Sequence, residues 1–506
     1  MKLVTAAQMR EIDRITIEEM FISGETLMKN AAGHIATVVM EHTPPGGNVA
    51  VFCGTGNNGG DGIGAAVNLL KAGVSVRVFL IGETGDLSPD SKIMYNSLSA
   101  LGGSLEHITL SSDHSEYVNN CAVVVDAIFG IGLNSELRED ALTAVSMINS
   151  SRAFIISADV PSGVHADTGS ILGDAVKADM TVTFSFAKPG HFVEPGCIYC
   201  GKLRVCDIGV PRELLNSITS YMYAAMPGDI SLPHRRLDTH KGSYGRLLIV
   251  AGSVGYTGAP SLSARAASKT GAGLVFLGVP KSIYEIMASK LEEEMPFPLP
   301  DDNEGRLSAK SASEILRRAS QCNVCLIGPG LGNSRDITEL VQSLTRISET
   351  PMILDADGLN AIAENIDILN QAVCPLILTP HPGEFARLGG DMASGDRLGA
   401  SRDFATKYGC ILVLKGHRTI VALPNGTAYI NTTGGPAMAK GGTGDVLAGM
   451  IAALIAQKFP IVHAVAAAVY IHGLAGDMCA EEYGEYSVTA GNIVDKLPEA
   501  IKTVVK

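Results

Sequence analysis

Short apolar runs alternate with helical patterns along the first part of the chain. Thr5 and Gln8 form a capping box ahead of Met9, Ile12 and Ile15, which recur at helical spacing. The pattern predicts helices at about 25–42 and 61–72, and strands at 48–53, 74–81, 122–126, 153–157, 180–186 and 203–207. This β-α-β alternation argues for a mostly parallel sheet with helices on both faces.

A different pattern interrupts the chain between 211 and 240. It contains Pro227-Gly228, Pro233 and the basic pair Arg235-Arg236, and we place the domain junction there, near 215–230. The α/β pattern then restarts, with predicted strands at 246–252, 274–279, 324–328, 351–355, 376–379 and 410–415, and helices at 259–270, 446–457 and 461–475. The sequence therefore predicts an α/β protein with two three-layer α/β/α domains, residues 1–216 and 224–506.

Composition narrows the classes of partner. Apolar residues make up 46% of the 506 residues and charged residues 18%, which argues against a disordered chain. The absence of tryptophan and an aromatic content of 5% disfavour stacking platforms for single-stranded nucleic acid, and the net charge of −13 repels a polyanion. We therefore expect small-molecule substrates and no nucleic-acid partner.

The chain carries no recognisable export or membrane signal. No apolar segment follows the N-terminal Met, and the longest apolar run, Val446–Ala456, is shorter than the roughly 18 residues of a spanning helix. Ten scattered cysteines favour a reducing compartment, so we expect a cytoplasmic protein without a membrane partner. The pairs Cys197/Cys200 and Cys322/Cys325 are better interpreted as inert thiols than as metal or redox sites.

The segment Gly54–Gly62 follows a predicted strand and opens a predicted helix. Glycines let the backbone approach a ligand closely, and a helix N-terminus attracts phosphate. The segment contains G-x-G-x-x-G, which a dehydrogenase or a simple tight turn would also explain. However, Asn57, Asn58 and Asp61 add amides and a carboxylate, which indicates a polar or cation-lined pocket.

Polar residues follow two further strands of the first half. Asp126 ends the strand at 122–126, and Asp159 and Ser162 follow the strand at 153–157. Each aspartate alone would be interpreted as a helix cap or turn residue. Because the carboxyl ends of parallel strands line one crevice, we expect these residues to converge with Asn58, where their oxygens would suit a hard cation.

Four motifs of the first half, GTGNNGGDG, DAIFGIGL, DVPSGVHADTG and FSFAKPG, together resemble the NAD(P)H-hydrate epimerase family, or YjeF N-terminal domain. The resemblance covers about residues 9–216. It implies a Rossmann-like domain that interconverts the R and S epimers of hydrated NAD(P)H.

The resemblance assigns roles to individual residues. Asn58, Asp126 and Ser162 would hold K⁺, and Asp159 would contact the hydrated ring and act as acid/base while hydroxide leaves and returns through an iminium. Lys188 is a second acid/base candidate, whose alternative is a surface lysine in a turn. The residues expected to hold the dinucleotide are Asn57, Asn58, Gly59, Gly60, Asp61, Gly130, Ile131, Gly132, Leu133, Asn134, Ser135 and Glu136.

In the second half, the segment Gly441–Leu447 precedes a long apolar helix. Consecutive backbone N–H groups at a helix start form an anion hole, and Asp445 within it could take the proton of an attacking hydroxyl. There is no Walker lysine motif, so a P-loop enzyme is excluded. A glycine turn with an aspartate cap is the structural alternative. His381, within T-P-H-P-G-E after a strand, is a further functional candidate.

The motifs HKGSYGRLLIVAGS, GAGLV, GPGLG, LDADGLN, LTPHPGE, LVLKG and GGTGDVLAG together resemble the ADP-dependent NAD(P)H-hydrate dehydratase family, the ribokinase-like YjeF C-terminal domain. The resemblance covers about residues 224–501. It implies phosphorylation of the ring hydroxyl of the S epimer, followed by phosphate elimination, with ADP converted to AMP and phosphate. Such phosphoryl transfer implies Mg²⁺.

By position in these motifs, Ala259, Gly330, His381 and Asp445 would contact the hydrate, and Asp445 would activate its hydroxyl. The residues expected to hold the adenine nucleotide are Lys415, Gly416, His417, Arg418, Thr419, Gly435, Pro436, Ala437, Met438, Ala439, Lys440, Gly441, Gly442, Thr443 and Gly444.

The two resemblances together predict a bifunctional enzyme of nicotinamide-nucleotide repair, which we expect to be a homo-oligomer. The alternative is a small-molecule kinase, for instance of a vitamin precursor, fused to a non-catalytic dinucleotide-binding domain. The sequence leaves open whether ADP or ATP is the donor and whether NADH or NADPH hydrate is preferred.

Overall fold

The computed structural model describes residues 1–506. The chain divides into two compact units, Lys2–Met222 and Tyr223–Lys506, the second joined by Met1. The first unit contains a parallel sheet and the second a mostly parallel one, which confirms the α/β fold class.

The first unit has eight strands and eight helices in the order of its sequence. Its strands are β1 (Lys2–Leu3), β2 (Asn48–Cys53), β3 (Ser75–Ile81), β4 (Leu105–Ile108), β5 (Cys121–Ala127), β6 (Phe154–Ala158), β7 (Met180–Phe184) and β8 (Lys202–Cys206). Its helices are α1 (Ala6–Glu18), α2 (Gly24–His42), α3 (Asn57–Lys71), α4 (Pro89–Ala100), α5 (Ser115–Asn119), α6 (Glu139–Ser150), α7 (Gly196–Tyr199) and α8 (Arg212–Ser217).

The main sheet of this unit is seven-stranded, in the order β4-β3-β2-β5-β6-β7-β8, and every pair is parallel. Along β2, Val49 and Val51 belong to one apolar cluster, whereas Ala50 and Phe52 belong to another. Successive side chains of a strand point to opposite faces, so both faces are covered. This is the Rossmann-like three-layer arrangement expected from the sequence.

The second unit has strands β9 (Met222–Ala225), β10 (Arg246–Val250), β11 (Leu274–Pro280), β12 (Met295–Leu299), β13 (Val324–Ile327), β14 (Met352–Leu354), β15 (Leu376–Leu378), β16 (Ile411–Leu414), β17 (Ile420–Ala422) and β18 (Ala428–Asn431). Its helices are α9 (Gly258–Lys269), α10 (Tyr284–Lys290), α11 (Ala312–Ala319), α12 (Arg335–Ile347), α13 (Asp357–Asn360), α14 (Pro382–Arg387), α15 (Arg397–Tyr408), α16 (Thr443–Ala456), α17 (Ile461–Tyr483) and α18 (Ala490–Val504).

The sheet of the second unit runs in the order β9-β18-β17-β16-β15-β14-β13-β10-β11-β12. The strands from β16 to β12 pair in parallel, whereas β16, β17 and β18 form an antiparallel meander. The apolar helix α16 packs on α9 and α17 in one large core cluster. By length and composition, α17 would pass as a membrane-spanning helix, but 61% of its most apolar window is buried inside the protein.

The predicted elements are present and differ from the observed ones mainly at their ends, but the sequence pattern left out several others, among them β4, β12, α4 and α12. The helix predicted at 61–72 begins at Asn57, because Gly56 in an extended conformation is its N-cap and the two asparagines form its first turn. The predicted capping box of Thr5 and Gln8 is confirmed. Helix α17 continues to Tyr483 rather than 475, since Cys479 is still fully buried. The sequence pattern does not predict the short strands β17 and β18, which form the antiparallel meander with β16.

Candidate active sites

A cavity of about 570 Å³ lies at the carboxyl ends of the strands in the first unit. The predicted site residues that line it are Asn57, Asn58, Asp61, Gly130, Ile131, Gly132, Leu133 and Asp159. Asn134, Ser135 and Glu136 are exposed and do not line it. Gly59 and Gly60 lie buried beside the cavity; a Cβ on Gly59 would stand 1.8 Å from the Gly54 carbonyl oxygen, so the helix start can approach the strand end only without side chains.

Asp159 forms a buried ion pair with Lys188 at the base of this cavity. Lys188 Nζ lies 2.5 Å from Asp159 Oδ1 and also donates to Thr183 Oγ1 at 2.8 Å. The lysine side chain is 1% exposed, so its interpretation as a surface residue is wrong. The other carboxylate oxygen, Oδ2, accepts from the Ile131 backbone N–H at 3.2 Å. The carboxylate is thus held by contacts from three separate segments.

The backbone around this pair is fixed by a histidine. His191 Nδ1 accepts from the Lys188 N–H at 3.1 Å, so Nε2 carries the hydrogen and donates to the Asp159 carbonyl at 2.9 Å. Asp159 itself has φ +62°, a strained value for a non-glycine residue. Burial, and then the Lys188 charge, lower the pKa of His191 to about 4, so this ring is neutral.

Electrostatics keep Asp159 ionised. Burial by itself raises the pKa of Asp159, but the Lys188 ammonium opposes it by charge and by hydrogen bonding, and the pKa ends below its usual value. Glycine at 130 is what allows the 130–133 loop to reach the carboxylate, since a Cβ there would stand 2.9 Å from Asp159 Oδ2.

Asp126 and Ser162, two of the predicted cation ligands, form a buried network behind the cavity. Asp126 accepts from the Ser157 and Ser162 hydroxyls at 2.8 and 2.5 Å and from the Ser162 N–H at 2.8 Å. The third predicted ligand, Asn58, has a buried side-chain amide with no hydrogen-bond partner. A Cβ on Gly130 would lie 3.2 Å from Asn58 Oδ1. The three loops therefore converge as expected at the strand ends.

Sequence reasoning missed Asp13, which projects from α1 into the same cavity. It lies four residues after Met9 and three before Thr16, both buried, so helical spacing puts this carboxylate at the edge of the buried face. This helical position was the sequence signal from which Asp13 could have been identified. It also missed Thr183 and His191, which are far from any glycine-rich motif.

The second unit gathers its polar loops at one edge of its sheet, after β13, β14, β15 and β16. Lys415, directly after β16, forms an ion pair of 2.8 Å with Asp355, which follows β14, and lies 3.9 Å from Glu384. Asp355 also accepts from Thr379 Oγ1 at 2.7 Å. Burial would lower the pKa of Lys415, but Asp355 and Glu384 raise it above its usual value.

Asp445 lies in the first turn of α16, after a left-handed N-cap at Gly442 (φ +95°) that a residue with a side chain would adopt only with strain. Burial, then the Asp355 charge, raise the pKa of Asp445 to about 7, although the charge of Lys415 opposes the shift. Lys415 Nζ stands 3.2 Å from where a Cβ on Gly444 would be. An ammonium and the free N–H groups of a helix start thus face the same space.

The predicted substrate residues of this unit lie in neighbouring loops. His381 caps α14: its Nδ1 accepts from the Gly383 and Glu384 N–H groups, so its half-exposed Nε2 carries the hydrogen. Gly330 lies against Ala259 and Tyr256, since a Cβ on it would stand 3.2 Å from the Ala259 Cβ. The exposed ring of Tyr256 was not singled out from the sequence.

The predicted nucleotide residues form two turns. Residues 415–419 connect the antiparallel strands β16 and β17, and Arg418, at φ +58°, donates to the Thr432 carbonyl at 2.9 Å. Residues 435–444 contain a short 3₁₀ turn, Pro436–Met438, before α16. The buried side chain of His472 lies beneath that helix start. Its Nε2 has no hydrogen-bond partner, and burial lowers its pKa to about 4. The sequence did not identify this residue.

Comparison with known proteins assigns a family to each part of the chain. A family model described as YjeF-related protein N-terminus matches residues 24–190, and one described as NAD(P)H-hydrate dehydratase matches residues 247–499. A protein of Moorella thermoacetica named bifunctional NAD(P)H-hydrate repair enzyme Nnr is 39% identical, covering 100% of this chain and 97% of that protein. A protein of the same name from Thermofilum pendens is 38% identical over 100% and 97% of the two chains.

Among solved structures, one with a TM-score of 0.50 supports the ribokinase-like fold of the second unit. A ribokinase-like superfamily protein of Enterococcus faecalis has a TM-score of 0.50 and 27% identity, covering 57% of this chain and 98% of that one. An ADP/ATP-dependent NAD(P)H-hydrate dehydratase of Bacillus subtilis, co-crystallised with ATP and Mg²⁺, is 30% identical with a TM-score of 0.46, covering 54% of this chain and 94% of that one.

Proposed function

The chain belongs to the family of bifunctional NAD(P)H-hydrate repair enzymes, and we propose that each of its two units carries one of the two activities. The first, approximately residues 1–216, would epimerise R- and S-NAD(P)H hydrate. The second, approximately residues 224–506, would dehydrate the S epimer with ADP. The observation that carries the proposal is that each unit has its own candidate acid/base carboxylate under the charge of a nearby lysine: Lys188 pairs with Asp159 directly, and Lys415, which pairs with Asp355, acts on Asp445 by charge.

In the epimerase, Asp159 is the residue to contact the reacting ring. The ring carbon loses its hydroxide to give an iminium and regains water on the other face. An ionised carboxylate at that carbon stabilises the cation and accepts a proton from the incoming water. Lys188, through its ion pair, keeps Asp159 in the ionised form that this role requires. The loops at 57–61 and 130–136 would bind the dinucleotide.

Potassium is the cation proposed for this unit. The buried Asn58 amide oxygen has no donor within the chain, and the Asp126 carboxylate supplies negative charge, so these residues and Ser162 fit a monovalent cation. When bound, the ion would stabilise the anionic part of the substrate near the 57–61 loop.

In the dehydratase, Asp445 would take the proton of the ring hydroxyl as the hydroxyl attacks the terminal phosphoryl group of the nucleotide. The backbone N–H groups of 442–444 and the Lys415 ammonium would stabilise the transferring phosphoryl charge. Loss of a ring proton then expels phosphate and restores NAD(P)H. Ala259, Gly330 and His381 would bind the hydrate, and the turns at 415–419 and 435–444 the nucleotide.

Magnesium fits the carboxylate-rich surroundings of Asp445. The charges of Asp355, Asp357 and Glu384 all act on Asp445, and carboxylate oxygens are the ligands that Mg²⁺ takes in phosphoryl-transfer sites. The ion would neutralise charge on the phosphates. ADP is the proposed donor, with ATP as the alternative.

The test is to supply both epimers of hydrated NADH with Mg²⁺, K⁺ and either ADP or ATP, and to follow the recovery of reduced-nicotinamide absorbance. We expect complete recovery of both epimers, faster than spontaneous epimerisation allows, and the better nucleotide identifies the donor. Stable phosphorylation without recovery would instead establish the small-molecule kinase.

Two variants separate the activities. Asp159→Asn should stop recovery after the S epimer is consumed, whereas Asp445→Asn should stop recovery of either epimer while leaving epimerisation intact. If the wild type itself converts the R epimer no faster than the spontaneous rate, the first unit is a binding module, whereas a catalysed rate that is unchanged in Asp159→Asn would remove Asp159 from the chemistry. The ten cysteines are all free thiols, which fits the proposed cytoplasmic location. The homo-oligomeric state stays a prediction that sedimentation equilibrium would test.

A further inference from the structure

The cavity of the first unit contains more carboxyl groups than its ion pairs account for. Asp13 from α1, Asp61 from α3 and Asp159 after β6 all line it, together with the single ammonium of Lys188. Three carboxyl groups from three elements therefore share one small space with one buried cation.

Lys188 is already committed within this group. It lies 2.5 Å from Asp159, which also accepts from Thr183 and from the Ile131 N–H. Asp13 and Asp61, by contrast, make no hydrogen bond and no ion pair within the chain. Of these three carboxyls, Asp159 is fully partnered, and Asp13 and Asp61 are free to contact a ligand.

The remaining charged groups around Asp13 do not form an ion pair with it. Arg10, one turn earlier on α1, donates to the Ile131 carbonyl at 3.1 Å on an exposed rim, and Asp90 of α4 adds a further negative charge at the lining. The Lys188 ammonium and the Asp159 carboxylate have opposite effects on Asp13, and Asp61 of α3, in the same cavity, also interacts with it by charge.

Burial supports different protonation states for these carboxyls. Burial raises the pKa of Asp13 to about 6, with Lys188 opposing the rise and Asp159 adding to it. Burial, together with the charges of Asp159 and Asp13, raises the pKa of Asp61 well above its usual value. Asp13, whose pKa is raised, therefore shares the cavity with Asp159, whose pKa is lowered. Such a separation of two pKa values is typical of an acid and a base in one site.

We propose that Asp13 is a second catalytic residue of the epimerase, the general acid that protonates the departing hydroxyl, while Asp159 is the base for the incoming water. The inference rests on the epimerase activity proposed above and adds to it a residue outside every motif on which that activity was assigned. We choose Asp13 over Asp61 because Asp61 belongs to the 57–61 segment assigned to dinucleotide binding, whereas Asp13 lines the cavity from a separate helix, α1, and has no other assigned role. A raised pKa near neutral pH would also let Asp13 both give and regain its proton.

The step balances as follows. The carbon–oxygen bond of the carbinolamine breaks with its electron pair on oxygen, Asp13 supplies a proton, and water leaves as the ring nitrogen lone pair forms the iminium. A second water adds to the opposite face of that carbon and gives one proton to Asp159. The proton then returns from Asp159 to Asp13 through cavity water, so that neither atoms nor charge change overall.

The experiment compares Asp13→Asn with wild type, with Asp13→Glu and with Glu11→Gln, a matched control on the exposed side of the same helix. Pure R epimer is supplied without nucleotide, the S epimer is separated by chromatography, and the spontaneous rate is subtracted. We expect kcat/KM to fall about 10²-fold or more in Asp13→Asn and to stay at the wild-type value in Glu11→Gln. Asp13→Glu should keep part of the rate.

The pH profile provides a readout that a structural role would not give. Wild-type kcat/KM should fall about tenfold per unit above pH about 6, as Asp13 loses its proton, and this limb should be absent from Asp13→Asn. If Asp13→Asn unfolds at a lower temperature than wild type, the wild-type profile and Asp13→Glu decide instead.

The outcomes separate the two proposals. A wild-type protein that does not epimerise overturns the epimerase function itself. A wild type that does epimerise, with Asp13→Asn equally fast and with the same pH profile, overturns only the role of Asp13. Loss of the rate in Asp61→Asn but not in Asp13→Asn would assign the acid to Asp61 and would also overturn the proposal.

Discussion

Both units place a buried lysine against an aspartate at the carboxyl edge of a parallel sheet, but the two pairs have opposite effects on the acid/base candidate. In the first unit, Lys188 contacts Asp159 itself and holds its pKa below the usual value. In the second, Lys415 contacts Asp355, and Asp445 nearby has its pKa raised to about 7. The Lys188–Asp159 pair includes the candidate carboxylate and keeps it ionised, whereas the Lys415–Asp355 pair does not include Asp445, which can titrate near neutral pH.

The difference follows from what each reaction requires. A carboxylate that stabilises an iminium must be ionised whenever the substrate is bound. A base that takes a hydroxyl proton works best with a pKa near the working pH, because it then combines an adequate ionised fraction with sufficient basicity. Burial raises the pKa of both carboxylates, and the direct contact with Lys188 reverses that rise only for Asp159.

The largest effect is expected from Asp445→Asn. Removal of a general base costs roughly 10²–10⁴-fold, and we expect a loss of about 10³-fold in dehydration of the S epimer. Asp495→Asn, which breaks an exposed ion pair with Arg265, should leave the rate unchanged. Single-turnover formation of NADH measures both variants, and a loss below tenfold in Asp445→Asn would remove this residue from the chemistry.

The next effect is on stability. Lys188→Met would leave the buried Asp159 charge unpaired, which should cost about 3–5 kcal/mol. The double variant Lys188→Met/Asp159→Asn removes both charges and should recover most of that loss. Native-state hydrogen exchange of the β6 and β7 amides measures both, and a double variant as unstable as the single one would contradict the ion-pair explanation.

The pH dependences should have opposite signs between pH 6 and 8. Asp445 must be ionised, so dehydratase kcat/KM should rise as pH approaches its pKa of about 7 and then level off. Epimerase kcat/KM should fall over the same range, since Asp13 loses its proton above about 6 while Asp159 stays ionised. Parallel profiles, measured on the same preparation at constant free Mg²⁺ and K⁺, would show that one shared group limits both reactions.

The smallest effect is expected from His191→Phe. The change leaves the Asp159 carbonyl and the Lys188 N–H buried without partners, so the ion pair should shift and epimerase kcat should fall about tenfold with little change in KM. His107→Phe, at an exposed histidine of the same unit, is the control. An increase in KM without a change in kcat would indicate that His191 shapes the binding surface rather than the position of Asp159.

The elements with strong periodicity could be predicted from sequence, and so could the loops that follow them. Strands such as β2 and β10 are continuous apolar runs because both faces are buried, and a glycine-rich loop after such a strand indicates a ligand site without further information. The convergence of Asn58 and Asp159 followed from the rule that parallel strands end at one edge. The strand β17 was missed although β14 and β15 are equally short, because those two are followed by polar loops that mark their ends, whereas β17 lies within a short antiparallel meander.

The sequence by itself determined the two α/β units, the family and the loops that carry the chemistry, because these depend on local patterns of apolar residues and glycines. Only the tertiary structure decided the protonation states. Whether Lys188 is a surface residue or the buried partner of Asp159, and whether Asp13 faces solvent or a cavity, depends on burial and on charges distant in sequence. Desolvation and Coulomb interaction act through space, so no motif records them.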